Sequence, residues 1–224
     1  MSKGKLIVIE GTDCSGKETQ TKKLISYLEE QGKDVATFSF PMYHTPTGKI
    51  VGGPLLGKEY ICDGWFPEGA PAVDGKVASL YYAADRYYNL PQINQALEEG
   101  KIVILDRYTY SNMGHQGGKL ENKEERIARY KFIETLEFDL LGLPKPDGVI
   151  LLFMPVESAK EIRAKRPEKL DEAERDDHHL LLAQNAYLEM AELYNFKVVN
   201  CAVDGKIRTI DEISEEVIKL YNEF

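Results

Sequence analysis

The densest chemistry in the sequence lies in Gly11-Thr12-Asp13-Cys14-Ser15-Gly16-Lys17-Glu18-Thr19. An apolar run of strand length, 6–9, leads into it, and it opens a segment, 17–30, whose Leu24, Ile25 and Leu28 recur at helical spacing. A strand, a G-x-x-x-x-G-K turn and a helix in that order make a phosphate-binding loop. Its glycines let backbone N–H groups turn inward around phosphate oxygens, the helix amino terminus adds positive potential, and Lys17 reaches the terminal phosphates. The position after the lysine ordinarily carries a Ser or Thr that holds Mg²⁺, but here it is Glu18. Thr19 lies about 100° further round the helix and cannot simply replace it. Glu18 either holds the metal through water, the outcome expected here, or turns outward as an acid favoured by the helix dipole.

A second constellation, Asp106-Arg107-Tyr108, closes the apolar run 102–105. An acid at the end of such a strand, beside a phosphate-binding loop, organises a metal directly or through water. The guanidinium next to it suits phosphate. Adjacent strand residues face opposite sides, which argues against a simple Asp106–Arg107 ion pair. Cys14 sits near a helix amino terminus, where a thiol can be activated, although a small residue filling a tight turn is the simpler reading. His44, His178 and His179 lack a paired partner and are expected at the surface.

The elements that must position these groups follow from the hydrophobic pattern. Apolar runs at 6–9, 35–40, 102–105, 149–153 and 198–201 are the expected strands of a parallel sheet. Helical segments are expected at 17–30, 71–90, 123–141, 156–166, 172–194 and 209–221. Strand and helix alternating in this way imply right-handed crossovers and a three-layer α/β architecture, with ligands at the carboxyl ends of the strands. Two stretches break the rhythm. Residues 45–75 are rich in Gly and Pro and predict a short helix at 48–56 and an exposed loop at 60–71. Residues 164–177 are a run of charges, ordinarily a solvated helix face.

With 224 residues the chain can form one domain, 1–224, burying roughly 70% of its unfolded surface. Its 28 basic against 37 acidic residues, a net charge of −9, argue against polymeric nucleic acid or an anionic membrane as partner. No stretch reaches the ~20 apolar residues of a membrane span. Cys14, Cys62 and Cys201 are an odd set without metal-ligand spacing, as expected of a reduced, cytoplasmic protein.

Over nearly its whole length the sequence resembles the thymidylate kinases, P-loop nucleoside monophosphate kinases. The matching motifs occur in order: Ile9-Glu10-Gly11-x-Asp13-x-x-Gly16-Lys17-x-Thr19-Gln20, Phe40-Pro41, Ala84-Asp85-Arg86, Asp106-Arg107-Tyr108-x-x-Ser111, Leu143-Pro144-x-Pro146-Asp147 and the charged stretch 163–177. The resemblance implies a P-loop NTPase fold, with a five-stranded parallel sheet flanked by helices and a mobile lid at about 163–177. It implies transfer of the γ-phosphate of ATP to dTMP, with Mg²⁺, in a homodimer to which Met113, Phe132, Leu136 and Leu140 could contribute; packing in the monomer core is the equal alternative for these four. Residues 11–19 would surround the ATP phosphates, Asp106 and Glu18 would serve the metal, and Lys17, Asp106, Arg107, Arg163 and Arg166 would be catalytic.

On the substrate side, the resemblance gives Asp13 the 3′-hydroxyl, Arg107 the acceptor phosphate, Arg86 the thymine edge and Tyr82 the base face. Phe40, Pro41 and Ser111 belong to the same site. Asn112 and His115, with Gln116 as a second amide, would meet the pyrimidine and the sugar near its 2′ position. Asp171 and Glu174 match an acidic pair facing the sugar. Tyr43 stands where many members have a phosphate-binding arginine, and residues 57–75 have no counterpart in the family.

Three rival readings remain. A GTP-binding switch would need Asn-Lys-x-Asp, and Asn122-Lys123-Glu124-Glu125 fails at its fourth residue, while Thr109 stands in place of a switch glycine. A kinase for another deoxynucleoside monophosphate or a deoxynucleoside stays open. Glu18 alone suggests a nucleotide-binding protein without catalysis.

Overall fold

The computed structural model describes residues 4–164 and 174–224, so the expected lid residues Arg166 and Asp171 lie outside the described residues. Strand β1 (Lys5–Gly11) is a nearly continuous apolar run because both of its faces are covered. Leu6 and Val8 pack into one core layer, and Ile7 and Ile9 into the other, as the two-residue period of a strand requires. The first layer is completed by α3 (Gly75–Glu98), α5 (Lys123–Glu134) and α7 (Asp177–Leu193), the second by α1 (Lys17–Glu30) and α8 (Ile210–Tyr221).

With β2 (Val35–Ser39), β3 (Ile102–Asp106), β4 (Gly148–Phe153) and β5 (Lys197–Asn200), the sheet order is β2-β3-β1-β4-β5, all parallel. The register aligns Ile9 and Ser39 with Asp106, so the loop after β1, the chain after β2 and the Asp106-Arg107 pair emerge side by side. The order of connections reverses at β1, and this is the edge where ligands bind in open α/β sheets.

Several elements differ from expectation. Helix α3 begins at Gly75 and runs past Pro91, whose ring lies on the exposed face, to Glu98. Residues 46–55 form α2 (Pro46–Ile50) and a π-helical turn, Val51–Leu55; another π turn, Thr135–Leu140, ends the α5 segment. Helix α4 (Thr109–Gly117) was not legible because its buried residues are mostly polar. Helix α6 (Val156–Ala164) and a two-stranded hairpin, β6 (Ala202–Val203) with β7 (Lys206–Ile207), complete the described chain.

The stretch expected as an exposed loop is only partly so. Tyr60 and Trp65 are exposed, but Ala70 and Val73 are buried with Val51, Leu55 and Ala78 in a small third core, against which Phe66 and Tyr82 pack. Met113 is fully buried in the main core, which removes it from the candidate subunit surface. His179 is also buried, against the expectation of a surface residue, while His44 and His178 are exposed as expected.

Candidate active site

The glycine loop is tied down by the strands it leaves. Thr12 Oγ1 donates to the Met154 carbonyl at 2.7 Å and accepts from the Met154 N–H at 2.8 Å, while the Thr12 N–H donates to Leu152 at 3.2 Å. A Cβ on Gly11 would lie 2.5 Å from Ser15 Oγ and 2.9 Å from the Leu152 carbonyl, so only glycine fits there. Cys14 and Gly16 both have positive φ, which turns the loop backbone over to the start of α1. Cys14 packs into the core layer behind the loop, its Sγ 3.4 Å from Asp13 Oδ2, consistent with the space-filling reading. Lys17 Nζ donates to the carbonyls of Gly11 and Thr12 at 3.0 and 3.1 Å. Burial, reinforced by the Arg107 charge, lowers the Lys17 ammonium to about 8.

Glu18 does not face this loop. Its side chain is 77% exposed and pairs with Lys22 one helical turn on, at 2.5 Å. The expected water-mediated metal contact is therefore corrected to the outward alternative, a first-turn acid complementing the helix dipole. Thr19 is exposed as well.

The strand β3 ends at Asp106, and Arg107 follows at φ 66°, a left-handed conformation uncommon for a side chain of this size. Arg107 Nη1 approaches Ser111 Oγ at 3.4 Å. Beneath it lies Glu10, which the sequence reading quoted but gave no role. It is completely buried and accepts from the N–H groups of Tyr108 and Ser111 at 2.8 and 3.0 Å, Ser111 Oγ at 2.6 Å and the Tyr187 hydroxyl at 3.3 Å. Burial raises its carboxyl from the ordinary value, opposed by the Ser111 hydrogen bond and the Arg107 charge. An acid inside the run LIVIEG was the signal for it.

A cavity of about 240 Å³ opens between this edge and α3, α4 and α7. Among the expected substrate residues, Asp13, Phe40, Pro41, Tyr82, Arg86, Arg107, Ser111, Asn112, His115, Gln116 and Glu174 all line it. Phe40 and Pro41 are joined by a cis peptide bond. Arg86 donates through Nε and Nη2 to the two oxygens of Glu137, at 2.5 and 2.6 Å. Glu137, also fully buried, further accepts from Thr109 Oγ1 at 2.8 Å and Asn112 Nδ2 at 2.9 Å. The sequence reading missed Glu137, since it stands in a charged stretch with nothing to mark it. Asp85 is a third buried acid, accepting from the Met42 N–H and Thr47 Oγ1, both at 2.9 Å. It fixes the chain leaving Pro41.

On the α7 side, His115 Nδ1 and His179 Nε2 lie 3.1 Å apart, with their rings stacked. Burial and the neighbouring His179 hold His115 well below the ordinary histidine value, so it is neutral at pH 7. Arg163 on α6, buried rather than solvated, lies 3.6 Å from Asp13 and pairs with Asp177 at the start of α7.

A glycine loop between β1 and α1, at the reversal point of a parallel sheet and flanked by Asp106 and Arg107, defines a P-loop phosphotransferase. The family model for thymidylate kinases matches residues 9–213. The chain belongs to the thymidylate kinase family, and it is an enzyme that phosphorylates dTMP. It is 32% identical over 223 residues to the "Probable thymidylate kinase" of Thermococcus kodakarensis, covering 96% of this chain and 95% of that one. It is 32% identical over 174 residues to the thymidylate kinase of Mycobacterium tuberculosis, 77% of each chain. The structure of the thymidylate kinase from Candida albicans matches with a TM-score of 0.72 at 27% identity, over 100% of this chain and 93% of that chain.

Proposed function

We propose that the cavity seats dTMP with its phosphate toward the glycine loop and its base against Arg86, Asn112 and Gln116, for in-line transfer from ATP to give dTDP. The observation that carries this reading is a pair of cavity-lining amide oxygens, Asn112 Oδ1 and Gln116 Oε1, buried without a hydrogen-bond partner. A buried acceptor left in that state costs roughly 1–3 kcal/mol, which a ligand N–H relieves. Asn112 Nδ2 is held by Glu137 and the Ser79 carbonyl, so the oxygen is the end turned to the ligand. Thymine offers a donor at N3 and an acceptor at O4, matching Asn112 and Arg86. Cytosine, with an acceptor at N3, does not match.

Tyr82 and Phe40 supply the faces against which the base stacks. Asp13, with Glu174 beside the same cavity, accepts from the sugar 3′-hydroxyl, and His115 stands near its 2′ position. Arg107 holds the acceptor phosphate. Lys17 and the N–H groups of 11–19 hold the ATP phosphates, and Arg163 supplies positive charge to the group in transfer. The acceptor is already an anion near neutral pH, so positioning and charge neutralisation dominate and no general base is assigned.

Mg²⁺ fits this edge. Asp106 Oδ1 is buried with no hydrogen-bond partner, and among the described residues no cluster of three ligating side chains exists. One carboxylate completed by phosphate oxygens and water is the ordinary donor set of this ion. When bound, it neutralises charge on the ATP phosphates.

The whole chain, 1–224, acts as one kinase unit and pairs as a homodimer through Phe132, Leu136 and the exposed Leu140, which border an apolar groove. Three free cysteines support a reducing, cytoplasmic setting, and among the described residues no helix is long and apolar enough to cross a membrane. The test is a phosphorylation panel of dTMP, dUMP, dGMP and thymidine with ATP and Mg²⁺. dTMP is expected to be the best acceptor; thymidine or dGMP as the best acceptor would sink the reading.

A further inference from the structure

Residues 57–75 reach the same cavity. Within them, Lys58 lines the wall shared by Arg107, Phe40 and Tyr43. Its backbone is pinned on both sides: its N–H donates to the Gly52 carbonyl at 2.8 Å, and its carbonyl accepts from the N–H groups of Ile61 and Cys62 at 2.8 and 3.2 Å. Gly52 and Gly53 leave room for that turn. A Cβ on Gly52 would lie 2.4 Å from Ile61 Cδ1, and one on Gly53 would lie 2.5 Å from Cys62 Sγ. The far end is held too, since Lys119 Nζ donates to the carbonyls of Ala70 and Val73 at 3.2 and 2.7 Å.

Held in this way, Lys58 extends over Tyr43, its Nζ 5.2 Å from the ring centroid, while Tyr60 packs edge-on against the same ring at 6.4 Å. On its other side, Tyr43 is close enough to Arg107 to bear on that residue's charge. Tyr43 is thus a platform between two cations.

A phosphate monoester carries about −1.5 to −2 charges at pH 7, more than one guanidinium neutralises. The Lys and Arg residues lining the cavity, among those described, are Lys58, Arg86, Arg107 and Lys119. Arg86 is forked onto Glu137, and the Lys119 ammonium is spent on two carbonyls. Arg107 has Glu10 and Asp106 beside it to offset part of its charge.

We propose that Lys58, presented by 57–75 across Tyr43, is the second cation that binds the acceptor phosphate of dTMP together with Arg107. This rests on the reading of the cavity as the dTMP site. It gives the segment a role: a seated turn that delivers one ammonium to the acceptor end.

The test compares a ligand that has the phosphate with one that lacks it. Lys58→Met keeps the stem over Tyr43 and removes the charge. It is expected to weaken dTMP binding about tenfold or more while thymidine binding and the KM for ATP stay within about twofold of the parent, and Lys58→Arg is expected to recover most of the loss. Unchanged dTMP binding in Lys58→Met overturns the proposal, as does equal weakening of dTMP and thymidine, which would make Lys58 a structural residue only. If Lys58→Met does not fold, Lys58→Gln is read against the same two ligands. A parent enzyme that preferred another monophosphate would refute the dTMP reading separately; that monophosphate and its nucleoside then decide Lys58.

Discussion

Glu137 decides which end of the Asn112 amide faces the cavity. By accepting from Asn112 Nδ2 at 2.9 Å and from two nitrogens of Arg86, one buried carboxylate orients both groups assigned to the base edge. Glu137→Gln replaces one acceptor oxygen by a donor and leaves the Arg86 charge buried without its partner. The dTMP KM is expected to rise at least tenfold with the ATP KM unchanged, and stability to fall by about 3–5 kcal/mol, read from the denaturant midpoint. Preserved stability together with a preserved dTMP KM would remove Glu137 from the base-recognition role.

Arg107→Ala is expected to abolish measurable dTMP binding by calorimetry while ATP binding remains within about threefold, because a charge-assisted phosphate contact is lost without touching the glycine loop. Equal loss of both ligands would mean that the positive-φ turn at 107, rather than its guanidinium, is what matters.

The Lys17 ammonium, lowered by burial to about 8, gives a pH dependence with a definite sign. Anionic phosphates favour the protonated form, and that form is complete below pH 8 in the free enzyme. ATP affinity should therefore be flat from pH 6.5 to 7.5 and fall by up to about tenfold per unit above 8, until the bound-state value is reached. Titrating binding against pH with Lys17→Arg as control checks this; the same falling limb in the Arg variant would assign it elsewhere.

Arg163→Ala should lower kcat more than tenfold. It should also destabilise the protein measurably, because Arg163 is buried between Asp13 and Asp177 and its loss leaves Asp13 without that counter-ion. A thermal melt and steady-state kinetics on the same preparation separate the two effects. Full turnover in a destabilised variant would reduce Arg163 to a structural residue.

For Glu18, the outward geometry predicts Mg²⁺-dependence curves for Glu18→Gln and Glu18→Ser that superimpose on the parent, with stability within about 1 kcal/mol as for other exposed ion pairs. A rightward shift for the Gln variant would reinstate the metal contact.

The glycine loop, the five strands and the Asp106-Arg107 pair were readable because each is local: a strand-length apolar run followed at once by the residues it delivers. Boundaries failed where packing overrode pattern. Pro91 looked like a stop but only points its ring at solvent, and α4 lacked an apolar stripe because its buried face is made of Ser111, Asn112 and Gln116. Glu137 and His179 were invisible for another reason: their partners Arg86 and His115 are 51 and 64 positions away. Polar burial of this kind depends on tertiary juxtaposition, which no local pattern records. Glu18 failed as an inference from a missing hydroxyl, since the helix offered it Lys22 instead.

The Glu10 carboxylate also bears on the order in which the chain can assemble. Its donors are 98 to 177 positions further along, at Tyr108, Ser111 and Tyr187, and β1 pairs with β3 on one side and β4 on the other. The first strand to leave the ribosome thus carries a charge that cannot be buried in a satisfied state until α4 and then α7 have been synthesised. Nascent chains ending before Tyr187 should leave the base of the glycine loop open to solvent exchange, and the nucleotide site becomes a late product of translation although its signature motif is among the earliest residues made.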